Sequence, residues 1–269
     1  MNKLIYEEAF NNICIENKIN CPGLFLYEEV DSTNNVIDEK AREGAQEGIC
    51  AIASQQTLGQ GRSGRTFYSP SGGNLYMSFL LRPKNLEMIS YITPAAAVAS
   101  SCAIADVCNI QTGIKWVNDL YYNGKKVSGM IAKGYNLAEM DKAYVVVGIG
   151  INVHNNSSKI PENVRDIYGS LYDSQYDEKE ETVIAKLSAA VYGQYMRIYR
   201  SISDKDYGFM CEYRKRSIVI GKNATYVSGE ENHTIKVIDI DMEGSLIVEE
   251  TDGSINTYRD GEIRIKITE

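Results

Sequence analysis

No Cys-x-x-Cys pair occurs in this chain of 269 residues, although it has cysteines at 14, 21, 50, 102, 108 and 211. That spacing argues against a zinc ribbon or a dithiol redox motif, so reduced, mostly buried thiols are expected. Positive charge is also in deficit. The 28 Lys and Arg against 36 Asp and Glu leave a formal charge of −8. This argues against nucleic acid as a partner, because phosphate contacts need a basic face. The start, Met1-Asn2-Lys3-Leu4-Ile5-Tyr6-Glu7-Glu8, lacks the apolar core of a secretion signal. No later run reads as spanning a bilayer, so a cytoplasmic protein with no membrane partner is expected. Histidine is scarce: His154 and His233 both read as ordinary surface or loop residues. No G-x-x-x-x-G-K-[ST] phosphate loop is present, nor the His-Arg-Asp and Asp-Phe-Gly segments of a kinase.

What the chain does have is Gly59-Gln60-Gly61-Arg62-Ser63-Gly64-Arg65, directly after the apolar run 49–53. Glycines let backbone N–H groups approach a ligand, and arginine binds phosphate or carboxylate with paired donors. The segment therefore reads as a loop that closes over an anion. It matches G-x-G-x-x-G literally. Yet Arg65-Thr66-Phe67-Tyr68-Ser69-Pro70-Ser71-Gly72-Gly73 follows, not the helix start that a dinucleotide fingerprint requires.

Periodicity and turn signals place strands over 25–30, 49–55, 74–81, 113–116, 120–122, 126–133 and 143–153. Helices are expected after the capping residues Asp31-Ser32-Thr33 as far as Glu43, over 92–107 as a buried alanine-rich helix, and over 180–200. Asn123-Gly124 signals a hairpin, and 154–179 reads as loop. Beyond about 214 the pattern changes to short β-branched runs (224–227, 235–240, 246–249, 255–258 and 263–267) between Gly, Asn and Asp turns. Such a pattern indicates a small barrel. The expected domains are thus 1–214 and 217–269.

Three further segments look chemical. Asp31-Ser32-Thr33-Asn34 sets hydroxyls and an amide at a strand-to-helix junction, able either to cap the helix or to bind a ligand's polar atoms. Lys115-Trp116-Val117-Asn118-Asp119 puts a lysine inside an apolar strand, where it either snorkels or meets an anion. Gly148-Ile149-Gly150-Ile151-Asn152-Val153 removes side chains from a central strand, for tight sheet packing or for a flat ligand.

Taken in order with Gln56-Thr57-Leu58, Ser69-Pro70, Gly73-Asn74-Leu75-Tyr76 and Gly124-Lys125-Lys126-Val127-Ser128-Gly129, these segments resemble the biotin protein ligases, from about Val30 to Val153. Two positions depart. That family usually reads Gly-Arg-Gly-Arg and Lys-Trp-Pro-Asn-Asp, where this chain has Gln60 and Val117.

The resemblance implies an α+β fold: a mixed β-sheet catalytic domain flanked by helices, of class II synthetase type, with a small C-terminal SH3-like β-barrel. It implies an ATP- and Mg2+-dependent, AMP-forming ligase. Biotin is activated to biotinyl-5′-AMP and passed to a lysine of the biotin carboxyl carrier protein of acetyl-CoA carboxylase or a related carboxylase. It assigns Lys115 and Arg62 as catalytic. It places Ser32, Thr33, Asn34, Gln56, Gly59, Gln60, Gly61, Arg62, Lys115 and Gly129 at biotin, and Arg62, Arg65, Trp116, Asn118 and Asn152 at the nucleotide. Metal ligands are not assigned, and both monomers and homodimers fit. A lipoate or octanoate ligase shares the fold and chemistry. A biotin-sensing repressor needs an extra helix-turn-helix domain, for which the 30 residues ahead of Asp31 are too few.

Overall fold

The computed structural model describes residues 1–155, 160–173, 181–228, 231–259, 263 and 265–268. Two sheets organise it. The larger has seven strands in the order β1-β2-β3-β7-β6-β5-β4. Strand β1 (Leu24–Val30) runs parallel to β2 (Cys50–Gln56), joined through helix α2 (Thr33–Arg42). The remaining pairs are antiparallel, through β3 (Leu75–Leu81), β4 (Gly113–Lys115), β5 (Asp119–Tyr122), β6 (Lys125–Tyr135) and β7 (Tyr144–Ile151). Asn123 and Gly124 both take positive φ, 49° and 74°, and make the tight β5–β6 turn.

One face of this sheet is fully apolar. It carries Ile52, Met77, Phe79, Val145, Val147 and Ile149 and packs on helices α3 (Glu87–Cys108) and α5 (Glu181–Ser203). Phe79 is wholly buried, its ring centroid 4.6 Å from Tyr195 and 5.9 Å from Tyr192 of α5. The other face has a smaller cluster, with Ile37 and Ala41 of α2 on Ala51, Leu80, Tyr144 and Val146. Beyond that cluster the face is polar or bare, and the site lies there.

The expected elements occur within a few residues of their bounds, and the region 156–159 and 174–180 of the expected loop, with the first residue of the expected helix over 180–200, lies outside the described residues. Two helices were not foreseen: α1 (Lys3–Asn17), packed on α5, and α6 (Phe209–Lys215). The segment between β7 and α5 also holds one turn of helix, α4 (Glu162–Arg165).

Three expectations are corrected. Helix α3 is long and apolar enough to cross a membrane, contrary to the reading that no run could; most of it is buried between the sheet and α5. His154 is not a surface residue, for it is 1 % exposed with its ring 5.4 Å from that of Tyr172. All six cysteines are free, but Cys50 alone is fully buried.

The second sheet is antiparallel, in the order β11-β10-β9-β8-β12, from β8 (Asn223–Ser228), β9 (Glu231–Ile240), β10 (Leu246–Glu250), β11 (Ile255–Tyr258) and β12 (Ile265–Ile267). It stands where the small barrel was expected, with position 264 outside the described residues. Its β9–β10 turn reaches the large sheet: Trp116 Nε1 donates to Gly244 O at 2.9 Å. Tyr213 Oη of α6 donates to Val117 O at 2.9 Å, beside the cis Trp116–Val117 peptide.

Removing Phe79 would leave a cavity between sheet and α5. Phe79→Ala should lower stability by about 3–5 kcal/mol in urea unfolding, and a loss below about 1 kcal/mol would show that the two layers are not packed through this ring.

Candidate active site

Register alone places the site. Tyr27, Ala53, Tyr76, Gly150, Gly129, Asp119 and Lys115 form one lateral row across all seven strands. Registered partners share a face, so this row looks toward the glycine loop. At its middle the sheet has no side chains. A Cβ on Gly150 would lie 2.4 Å from the Phe67 ring, and one on Gly129 3.0 Å from it. One residue pair along, a Cβ on Gly148 would meet the Asn34 amide at 2.4 Å. The bare strands thus accept a ring from the loop and an amide from α2.

The loop is a small hairpin. Phe67 N–H donates to Gly59 O at 2.8 Å, Gln60 bridges Thr66, and Gly61 N–H donates to Arg65 O at 2.7 Å. Gly59 has no room for a side chain, since Phe67 O and Ser69 Oγ would sit 2.3 and 2.4 Å from its Cβ. Turn residues Arg62–Gly64 form one 3-10 turn, with φ +72° at Gly64.

At one end of the slot lies a buried polar chain. Ser32 caps α2, accepting from Asn34 N–H at 3.3 Å. Gln56 Oε1 accepts from Thr33 N–H at 2.9 Å, and Gln56 Nε2 donates to Ser69 Oγ at 3.0 Å. Thr33 Oγ1 lies 2.7 Å from Ser78 Oγ, which donates to Asn34 Oδ1 at 3.0 Å. Each hydroxyl has one proton and two acceptor sites, so these groups can exchange partners with a ligand without leaving any of them bare.

Cations gather at the other end. Arg62 Nη1 donates to Asn118 Oδ1 at 3.2 Å, while Asn118 Nδ2 donates to Met130 O at 2.7 Å. Lys126 Nζ sits 2.6 Å from Asp119 Oδ1 and 3.1 Å from where a Gly129 Cβ would be. Strict alternation would put Lys126 on the opposite face from Gly129. A register shift between Leu120 and Tyr121 pairs Tyr121 with Lys126 and turns the lysine toward the loop. Lys115 shares the face, but its strand is two removed from Gly129, about 10 Å across the sheet. Its ammonium lies 5.4 Å from the Tyr121 ring centroid.

Asn152 is 4 % exposed; its Nδ2 donates to Gly169 O at 2.9 Å, and its Oδ1 is buried without a hydrogen-bond partner. Burial pushes the nearby Tyr168 hydroxyl up to about 12, and its ring meets Tyr68 of the loop segment edge-on at 6.2 Å.

The structure therefore brings Thr33, Asn34, Gln56, Gly59, Gly129, Arg62 and Asn118 to one slot. Arg65 is exposed, and the Trp116 indole N–H is engaged by the C-terminal sheet. Sequence reasoning missed Phe67, Ser78, Asp119 and Lys126. Lys126 lies within the segment Gly124-Lys125-Lys126-Val127-Ser128-Gly129, but a bulge leaves no trace in hydrophobic alternation.

With this geometry in place, similarity to known proteins becomes informative. A model described as the Biotin/lipoate A/B protein ligase family matches residues 26–152. The chain is 31 % identical over 236 residues to the Bifunctional ligase/repressor BirA of Bacillus spizizenii, covering 87 % of this chain and 71 % of that protein. It is 27 % identical over 228 residues to the Biotin--[acetyl-CoA-carboxylase] ligase of Mycobacterium tuberculosis, covering 82 % and 81 %. Among solved structures, Aquifex aeolicus biotin protein ligase in complex with biotin and ATP matches with TM-score 0.74 and 28 % identity, over 92 % of this chain and 100 % of that one. Fold and site define a member of the biotin and lipoate protein ligase class. Within it, the chain belongs to the biotin protein ligases.

The slot depends on the missing side chain at Gly150. Gly150→Ala should expel Phe67 and expose the loop, so trypsin should cleave after Arg65 about tenfold faster or more. An unchanged cleavage rate would mean that the ring does not hold the loop down.

Proposed function

We propose that this chain is an ATP-dependent biotin–protein ligase. The observation that carries the reading is the pairing of two unlike ends in one slot: buried neutral polar groups at Thr33, Gln56 and Ser78, and cations at Arg62 and Lys126. Biotin has the same two ends. Its ureido ring needs matched donors and acceptors when buried, and its carboxylate must approach a polyphosphate.

That approach is costly. Two unit charges 4 Å apart at an effective dielectric of about 20 repel by about 4 kcal/mol. Cations fixed beside the reacting atoms offset this, more so as charge develops in the transition state. One biotin carboxylate oxygen attacks the ATP α-phosphorus, the bond to the β-phosphate bridging oxygen breaks, and pyrophosphate leaves. In this reading Lys126 and Arg62 hold the carboxylate and α-phosphate oxygens. We assign this role to Lys126 ahead of Lys115, because Lys126 reaches Gly129 and the loop whereas Lys115 lies two strands out.

Ser32, Thr33, Asn34 and Gln56 line the ureido end, with Gly59, Gln60 and Gly61 as loop backbone and Gly129 leaving room for the biotin tail. Asn118 steers Arg62. The unpartnered Asn152 Oδ1 suits an exocyclic amine donor such as that of adenine. In the second step a carrier-protein lysine amine attacks the mixed anhydride, forms the amide, and releases AMP and a proton. Until then the loop, held by Phe67, keeps water from the adenylate.

Among the described residues no group of three or more His, Cys, Asp or Glu is placed to hold a metal ion, and Asp119 is paired with Lys126. We place Mg2+ on the phosphates of ATP, as part of the substrate. A carrier protein in the same compartment, the cytoplasm, is the acceptor in this reading.

Biotin-dependent ATP–pyrophosphate exchange tests the assignment. Lys126→Ala should lower it by about 100-fold or more, and Lys115→Ala by less than about tenfold. The opposite order would return the role to Lys115, and exchange driven by lipoate or octanoate but not biotin would replace the substrate.

A further inference from the structure

One polar chain near the site has no part in the chemistry described so far. It starts just ahead of α2, where Asp31 Oδ2 accepts from Asn35 Nδ2 at 2.6 Å. Asn35 Oδ1 in turn accepts from Gln60 Nε2 at 2.8 Å. Gln60 Oε1 accepts from Lys133 Nζ of β6. A single loop side chain is thereby held from two sides, by Asn35 of α2 and Lys133 of β6, at positions outside the slot residues described above. Lys133 lies on the loop-facing side of β6, paired with Val146 of the α2 cluster and four residues from Gly129, about 13 Å along the strand. It is too far along to share the reacting atoms with Lys126.

We infer that Lys133 and Asn35 are positioning residues that act through Gln60 to latch the loop over the slot. The loop then has two moorings with different duties. At its tip, Arg62 donates to Asn118, a contact that gives way to a phosphate in the ligase reading. At its base, Gln60 stays fixed whether or not ligand is present, because its partners Asn35 and Lys133 are not among the groups assigned to the ligand.

Amide chemistry suits this latch in a way that arginine, usual at this position in the ligases this chain resembles, does not. A glutamine offers an acceptor to the Lys133 ammonium and a donor to the Asn35 carbonyl oxygen at the same time. A guanidinium has donors only, so it would set cation against cation at Lys133. The substitution at 60 and the lysine at 133 are therefore complementary, and the polarity of the pair can be inverted: arginine at 60 with glutamate at 133 forms an ion pair across the same gap.

This inference rests on the ligase reading for its functional consequence, retention of the adenylate, but not for its structural one. Two measurements on the full chain keep them apart. The first is amide hydrogen exchange over 59–67 without ligand. Gln60→Arg and Lys133→Met should each raise exchange there about tenfold, as expected for loss of a hydrogen bond to a charged group. Gln60→Arg/Lys133→Glu should return it to within about twofold of the parent. The second is release of preformed biotinyl-AMP in a chase experiment, which should follow the same order, with the single variants leaking faster and the double variant restored. Unchanged exchange in both single variants, or no recovery in the double variant, would overturn the latch. A parent that forms no adenylate but shows the exchange pattern would sink the ligase reading and leave the latch standing.

Discussion

The contact on which everything else depends is a ring on bare backbone. Phe67 lies against Gly129 and Gly150 at the centre of a seven-stranded sheet, and Asn34 lies against Gly148 beside it. Central strands normally gain stability from side chains on both faces. Here one face packs densely on α3 and α5, which leaves the other free to give up side chains where a loop and a ligand must come close. The loop has no apolar core of its own. Its conformation derives from that docking, from the Gly59–Phe67 hairpin bonds, and from the moorings at Asn118 and Lys133.

The slot then divides by polarity. At the α2 end, Thr33, Ser78, Asn34 and Gln56 satisfy one another in a chain, so burying them costs little until a ligand replaces one partner with another. At the hairpin end, Arg62 and Lys126 are held by Asn118 and Asp119. In the proposed reaction, preorganisation of this kind would let charge develop without the site rearranging at the moment of reaction. The C-terminal sheet reaches this corner through Gly244 and Trp116, so the segment leading into Asn118 is tied to both sheets.

Much of this was legible in the residues. The β1–α2–β2 unit followed from alternation and a capping serine, the β5–β6 hairpin from Asn123-Gly124, and the loop from its glycines and arginines, because each rests on local rules of backbone and turn. What escaped was non-local. Helix α1 buries Tyr6 and Phe10, two apolar positions between acidic and amide residues, and their burial comes from α5, nearly two hundred positions away in the chain. Helix α3 is the buried alanine-rich helix that was expected; only its being long and apolar enough to cross a membrane escaped, because composition alone does not separate a covered core helix from a membrane span. That Lys126 turns onto the loop-facing side was not legible, because a lysine in an apolar strand such as Lys115 stands out, whereas a bulge that re-aims a neighbour does not. Phe67 and Ser78 look like ordinary core residues until the register shows what they face.

A structure with a non-hydrolysable biotinyl-adenylate mimic is the most direct test of the claim that two cations converge on the reacting atoms. Lys126 Nζ and the Arg62 guanidinium should both lie within hydrogen-bond distance of the oxygens that replace the carboxylate and α-phosphate, with Phe67 still on Gly129 and Gly150. A mimic whose phosphate-like group sits against Lys115, with Lys126 still paired to Asp119, would contradict it.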